Sequence, residues 1–286
     1  GGDMDLMFEL LEHEMELAGK AHLEKRRFLE EILALGKRGP LNTLCVDHDG
    51  ENYIRMRKAS HLVGILGLNE LAQGMTGHEL HQDARAMDFA LAVIKFMELK
   101  CEELSSRYGL KIVLEQTPAE STAYRMAKLD MRYFPDQATR FVRGNRETGE
   151  IYYTNSSHFA YDVSMDPVEK VLEEGKFHPM IKAGAITHVW LGEHRPDPRA
   201  LASFVRKIFL HTESAQVAFS PEFTVCNDCG KVVRGLKERC PACDGVNVDG
   251  ITRITGYFTR TSSWNAGKRA ELKDRTKVAI PVVPVS

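Results

Sequence analysis

Apolar residues Met7, Leu10, Leu11, Leu17, Ala18, Ala21, Phe28, Ile32 and Leu35 recur at three- and four-residue spacing. That period predicts one amphipathic helix over 4–35, closed by Gly36, Gly39 and Pro40. A second stripe of Met87, Ala90, Leu91, Ile94, Met97, Cys101 and Leu104 predicts a helix from about Asp83 to Tyr108, with Gly109 as its stop. Short apolar runs at 62–68, 110–114, 151–154, 186–191 and 216–219 read as strands. Helical patterns at about 70–108, 120–131, 167–175 and 198–212 separate them, and Pro167 and Pro198 open two of these where a missing N–H is harmless. The alternation predicts an α/β fold of five parallel strand–helix units. Five strands are too few for the familiar closed eight-stranded form, so they imply an open sheet or half of a larger barrel. From about residue 221 the helical period is lost and a cysteine-rich segment leads into a Gly- and Thr-rich tail.

Composition adds bounds. The 286 residues carry 38 Lys+Arg against 40 Asp+Glu, a formal charge of −2, which argues against a surface built to hold nucleic acid. No run of about 18 apolar residues is present, so no membrane span is expected. The first residues, Gly-Gly-Asp-Met-Asp-Leu-Met, lack the basic and apolar blocks of a secretion signal. A cytoplasmic setting follows, in which cysteines serve metals more often than disulfides.

Four of the six cysteines form two C-x-x-C pairs, Cys226/Cys229 and Cys240/Cys243, with ten residues between. Two such knuckles supply a closed Cys₄ shell, so a structural zinc ion is expected. Gly230 and Gly245 follow the second cysteine of each pair, where the chain needs a residue tolerant of positive φ. A redox dithiol would need a thioredoxin-like βαβ setting, which is missing. The basic residues of the ribbon are offset by Asp228, Glu238 and Asp244, against nucleic-acid binding. Cys101 lies on a helix's apolar stripe and reads as a core residue, whereas Cys45, beside Asp47 and Asp49, has no electropositive setting.

Thr117-Pro-Ala-Glu-Ser121 follows a strand and opens a helix. It reads as an N-capping box with Thr117 as cap, or as a place where free N–H groups hold an anion. Gly77-His-Glu-Leu-His81 lacks the order of a zinc protease motif and reads as a helix-start cluster, and the other histidines are scattered singly.

After the ribbon come Arg253-Ile-Thr-Gly256-Tyr257-Phe258, Trp264-Asn265-Ala-Gly267-Lys268, Glu271 and Arg275. This string resembles the anaerobic ribonucleoside-triphosphate reductases, the glycyl-radical class, with Ile254 in place of the commoner Val. Further likeness lies in Gly67-Leu68-Asn69-Glu70, Thr117–Ser121, Tyr153-Thr-Asn155-Ser156 and Phe177-His178, covering nearly the whole chain. The resemblance implies the second half of a ten-stranded α/β barrel, followed by a zinc ribbon and a glycyl-radical loop. The parts expected are a half-barrel over 1–220, the ribbon over 221–248 and the radical loop with its tail over 249–286.

By the same resemblance Gly256 holds the stored radical, made by a separate radical S-adenosylmethionine activating enzyme. Thr117, Pro118, Ala119, Glu120 and Ser121 would bind the triphosphate of a ribonucleoside substrate, which becomes a deoxyribonucleotide. Glycine suits the radical because delocalisation over the flanking amides needs a flat backbone without a side chain. The thiyl cysteine of the family sits in a Gly-Cys-Arg context in the first half of the barrel, and neither that tripeptide nor the family's N-terminal nucleotide-sensing domain occurs here. The chain therefore reads as the C-terminal part of a reductase, incomplete or split, needing an N-terminal half and assembling as a homo-oligomer. The other readings are a formate-lyase or dehydratase type of glycyl-radical enzyme, and a non-catalytic zinc-ribbon binding module.

Overall fold

The computed structural model describes residues 2–48 and 50–280. It opens on helix α1 (Met4–Ala34), whose cap Asp3 accepts from the Leu6 N–H. A small hairpin, β1 (Asp47–His48) with β2 (Glu51–Asn52), leads to strand β3 (Ser60–Gly64) and helix α2 (Leu68–Thr76). The apolar run at 62–68 is cut short because Gly67 takes φ +74°, so Leu68 begins a helix instead of ending a strand. The expected helix over 70–108 is likewise divided. Gly77, at φ +84°, ends α2, and Asp83 then caps α3 (Ala84–Tyr108) by accepting from Arg85 N–H.

Strand β4 (Lys111–Glu115) pairs parallel with β3, in register from Ser60–Lys111 to Gly64–Glu115. Helices α4 (Glu120–Tyr133) and α5 (Pro135–Ala138) follow. Next come β5 (Arg143–Asn145) and β6 (Glu150–Tyr152). This pair corrects the expectation of five parallel strands: β6 runs antiparallel to β5 as a hairpin. The Asn145 side chain accepts from the N–H groups of Glu147 and Thr148, and Gly149 takes φ +71°, so the chain folds straight back.

Helix α6 (Pro167–Gly175), β7 (Thr187–Gly192), α7 (Pro198–His211) and β8 (Val217–Pro221) complete the α/β part, with β7 and β8 parallel. The tail is a four-stranded antiparallel sheet in the order β10 (Val232–Arg234), β9 (Phe223–Cys226), β11 (Val248–Arg253), β12 (Phe258–Arg260), and it ends in α8 (Ala266–Asp274). No helix among the described residues is long and apolar enough to cross a membrane.

The main core surrounds α3. Ala90, Val93, Ile94 and Leu104 pack on Val63, Ile112 and Leu114 of the β3–β4 pair and on Phe159 and Phe177. A second cluster joins Val189 and Leu191 of β7 to Phe204 and Ile208 of α7, with Ile280 of the tail. Helix α1 buries only Met15, Gly19 and Leu33. It is tied to α3 by Lys100, a buried ammonium within 2.8 Å of Glu12 and Glu16 and 3.0 Å of Glu103.

Candidate functional site

The four cysteines converge. All four sulfurs lie within 4.8 Å of one another, with Cys226–Cys243 and Cys229–Cys240 each at 3.7 Å. Ligands about 2.3 Å from one tetrahedral ion stand about 3.8 Å apart, so the cage has the size a zinc ion needs. In the first knuckle Gly230 N–H donates to Cys226 O and Gly230 takes φ +72°, as its position after the pair predicts. The second knuckle differs. Asp244, not Gly245, takes the positive φ (+58°), and Gly245 is small for another reason: a Cβ there would stand 2.6 Å from the Asp228 carboxylate. The N–H of Ala242 helps draw the Cys240 thiol down to about 7, toward the thiolate a metal requires. Two of the ribbon's four cations are paired, Arg239 with Asp244 within it and Lys237 with Glu193 outside it.

Gly256 sits in the bend between β11 and β12, on the same sheet as β9, which ends in Cys226. It is exposed, its φ is not positive, and a Cβ added to it meets no atom within 4 Å. Steric crowding therefore does not account for glycine at this position. Below the bend, α8 turns charged residues inward. Arg275 donates to the carbonyls of Arg253 (2.9 Å) and Ile254 (3.0 Å) and to Glu271 (2.8 Å). Glu271 also accepts from Lys268 at 2.5 Å. Burial opposes ionisation of Glu271, but the adjacent Lys268 and Arg275 outweigh it and hold its carboxyl below the usual range. The Arg275 guanidinium lies 3.8 Å over the Trp190 ring and 5.3 Å from that of Trp264. Gly267 lets α8 approach closely, since a Cβ would stand 2.6 Å from the Ile151 carbonyl.

The turn at 117–121 lies next to this bend. Thr255 hydroxyl donates to the Glu120 carboxylate at 2.8 Å, and Asn265 donates to the Glu120 carbonyl at 3.0 Å. Thr117 is not the helix cap: its hydroxyl donates to Glu115 at 2.5 Å, the cap position falls to Ala119, and helix α4 starts at Glu120. Ala119 N–H instead meets the Asn155 side chain at 3.3 Å, and those of Ser121 and Thr122 have no acceptor among the described residues. Thr117, Pro118, Ala119, Glu120 and Ser121 thus form a compact helix entry, at which the N–H groups of Ser121 and Thr122 stay free.

Segments 67–70 and 153–156 pack on each other, and Asn155 reaches the turn through Ala119 N–H. Glu70 accepts from Thr154 N–H at 2.8 Å, and Gly67 and Leu68 donate to the carbonyls of Thr154 and Ser156. Ser156 holds φ +50°, strained for a residue with a Cβ, and burial raises the Glu70 carboxyl. Phe177 is buried in the main core, while His178 Nδ1 accepts from Ala215 N–H at 2.9 Å.

Sequence reasoning did not place Glu174 and His158, 3.5 Å apart and buried, nor His188 stacked on Trp190 with ring centroids 4.6 Å apart. An isolated His or Glu in an apolar stretch carries no spacing signal. Burial pushes the Cys101 thiol up to about 12, consistent with a core residue, and Cys45 is buried with its thiol directed at Leu33 O. In the 77–81 segment Glu79 pairs with Arg143, and His81 lies 3.6 Å from Glu79.

A mixed α/β chain with a metal-sized cysteine cage, and an exposed glycine bend beside a helix entry, defines a narrow class. The family model of the anaerobic ribonucleoside-triphosphate reductase matches residues 1–277. The chain belongs to that family. It is 25% identical to the anaerobic ribonucleoside-triphosphate reductase of Salmonella typhimurium and 24% to that of Escherichia coli, each match covering 96% of this chain and 40% of the relative. A solved anaerobic ribonucleotide reductase shares the fold with TM-score 0.75 at 23% identity, over 98% of this chain and 42% of that one. The chain thus spans about 40% of the length of the curated relatives it matches.

Proposed function

We propose that this chain is the radical-bearing C-terminal part of an anaerobic ribonucleoside-triphosphate reductase, converting ribonucleoside to deoxyribonucleoside triphosphates together with the part of its relatives that these 286 residues do not match. The observation that carries this reading is the Thr255–Glu120 hydrogen bond, which ties the glycine bend to the 117–121 helix entry. Radical residue and anion site then share one face.

The roles follow from chemistry. Cys226, Cys229, Cys240 and Cys243 hold a structural zinc ion that folds the ribbon and leaves no open coordination position. Gly256 gives up one Cα hydrogen atom to the radical of an S-adenosylmethionine-dependent activating enzyme and keeps the unpaired electron. The free N–H groups of Ser121 and Thr122, at the positive end of α4, receive the substrate phosphates. The parallel pairs β3–β4 and β7–β8 are parts of one half of a ten-stranded barrel, the region assigned to 1–220, with β8 ending at Pro221. The ribbon (221–248) and the radical loop with tail (249–286) complete the chain, the last six residues lying outside the described ones. Strand β11 crosses from one to the other, so they share a sheet. Homo-oligomer assembly and a cytoplasmic, anaerobic setting complete the proposal.

The test is electron paramagnetic resonance on anaerobically activated protein. A doublet that is absent from the Gly256→Ala variant is expected. No doublet under any activation would favour a non-catalytic zinc-ribbon module. The 286 residues with their activating enzyme alone are expected to give no deoxynucleotide, and turnover by them would overturn the dependence on a further part.

A further inference from the structure

We propose that Arg253 and Arg275 form a clamp that fixes the Gly256 peptide and places a guanidinium on its carbonyl oxygen. Arg253 Nη1 donates to Gly256 O at 2.5 Å, its sole acceptor among the described residues, and the guanidinium rests 4.7 Å over the Phe258 ring. An exposed arginine bonded to a nearby carbonyl is ordinarily worth little. Here, however, the backbone that carries it is itself gripped. Arg275 holds the carbonyls of Arg253 and Ile254, and Arg275 is fixed in turn by Glu271 and by the Trp190 and Trp264 rings.

The expense of that grip speaks for a purpose. Lys268, Glu271 and Arg275 side chains are 3%, 2% and 0% exposed, so two cations and one anion are buried together. Apolar residues of similar volume would pack a short helix at least as stably. Only a planar guanidinium reaches two successive carbonyls and a carboxylate in one plane.

The consequence for Gly256 rests on the reading of that residue as the radical site. Loss of a hydrogen atom leaves an electron on Cα in conjugation with the peptide nitrogen and with the carbonyl. A charge-assisted hydrogen bond to that oxygen, roughly twice as strong as a neutral one, favours the form with spin on oxygen. Arg253 therefore lowers spin density on Cα and prolongs the radical, and Arg275 is the positioning residue that keeps donor and acceptor aligned.

The experiment uses the full chain, anaerobically activated. Arg253→Met should give a doublet with wider α-hydrogen splitting and a half-life shortened several-fold, and Arg253→Lys should recover part of both. A doublet in Arg253→Met that superimposes on wild type in splitting and decay would overturn the electronic role. The unactivated protein supplies an independent arm. Arg275→Lys, whose single ammonium cannot hold both carbonyls, should speed exchange of the Ile254 amide, which donates to the Tyr257 carbonyl at 3.0 Å, about tenfold while leaving the cysteine ribbon unchanged. Unchanged exchange there would overturn the clamp. Absence of any wild-type doublet would instead remove the radical reading and with it the electronic role, while the exchange arm still decides whether the clamp exists.

Discussion

The cysteine ribbon and the glycine bend hang on one strand, β11, yet they are ordered by opposite means. At its start Val248 pairs with Cys226 beside the sulfur cage; at its end Arg253 and Ile254 are held by Arg275. The ribbon has almost no apolar interior, and Cys229 and Cys243 are exposed. On the proposed zinc reading, its order comes from the ion that the four thiolates would share. The bend is ordered from below by side chains that are charged, buried and mutually neutralising to within one positive charge. A metal ion gives a stiff, all-or-none anchor, whereas a hydrogen-bonded ion cluster gives a directional one that specifies a single peptide orientation.

Metal removal should separate the two regions most sharply. Structural zinc contributes about 10–16 kcal/mol to small fingers. Treatment with a strong chelator, followed by amide exchange, should therefore abolish protection across the ribbon and leave α3 and β4 unaffected. Loss of protection in the α3 core would show that the ribbon is not an independent unit. The ion cluster should respond to Glu271→Gln, which strands Lys268 and Arg275 without a counter-charge. A loss of about 3–5 kcal/mol by denaturant titration is expected for breaking a buried pair in this way. A change under 1 kcal/mol would mean that water already screens the cluster.

Acid should weaken the α/β region in two steps. Burial, the main cause, holds the His178 imidazole down to about 4. Below its unfolded value near 6.5 the unfolded chain takes up a proton that the folded one refuses, so stability falls by up to about 3 kcal/mol between pH 6.5 and 4. Glu174 adds the second step. Burial opposes its ionisation, but Lys170 and His158 outweigh that and hold the carboxyl at about 2, so its contribution is lost from pH 4.5 down to 2. Denaturant titrations at pH 7.5, 6 and 4.5 should show the first limb, and His178→Gln should flatten it.

What was legible followed strong local signals. Periodic apolar stripes gave α1 and α3 to within a residue or two, and four of the five strands fall in two parallel pairs. The C-x-x-C spacing located the cage outright. Reading failed where a single backbone residue redirected the chain: Gly67 opened α2 inside an apolar run, Gly77 ended it inside a helical pattern, and the Asn145–Gly149 turn made β6 antiparallel. It failed again for α8, which lies in the tail read as having no helical period, yet forms a helix that buries Lys268 and Glu271. Buried charge follows from tertiary partners, here Trp190 and the 253–254 carbonyls, that no local pattern encodes.

The smallest structural effect is expected at Gly256, the residue to which the proposed radical chemistry is assigned. A Cβ at Gly256 meets no atom within 4 Å, and its backbone is not in the left-handed region. Gly256→Ala should therefore change stability by no more than about 1 kcal/mol, and in the stabilising direction if the unfolded chain loses freedom. Zinc content and the exchange rates of the ribbon should match wild type. If the same variant also gives no radical doublet, glycine is there for what happens at its Cα and not for the turn it makes. A stability loss of 2 kcal/mol or more would reverse that, showing that the bend itself demands glycine and that a lost doublet in this variant is only a lost fold.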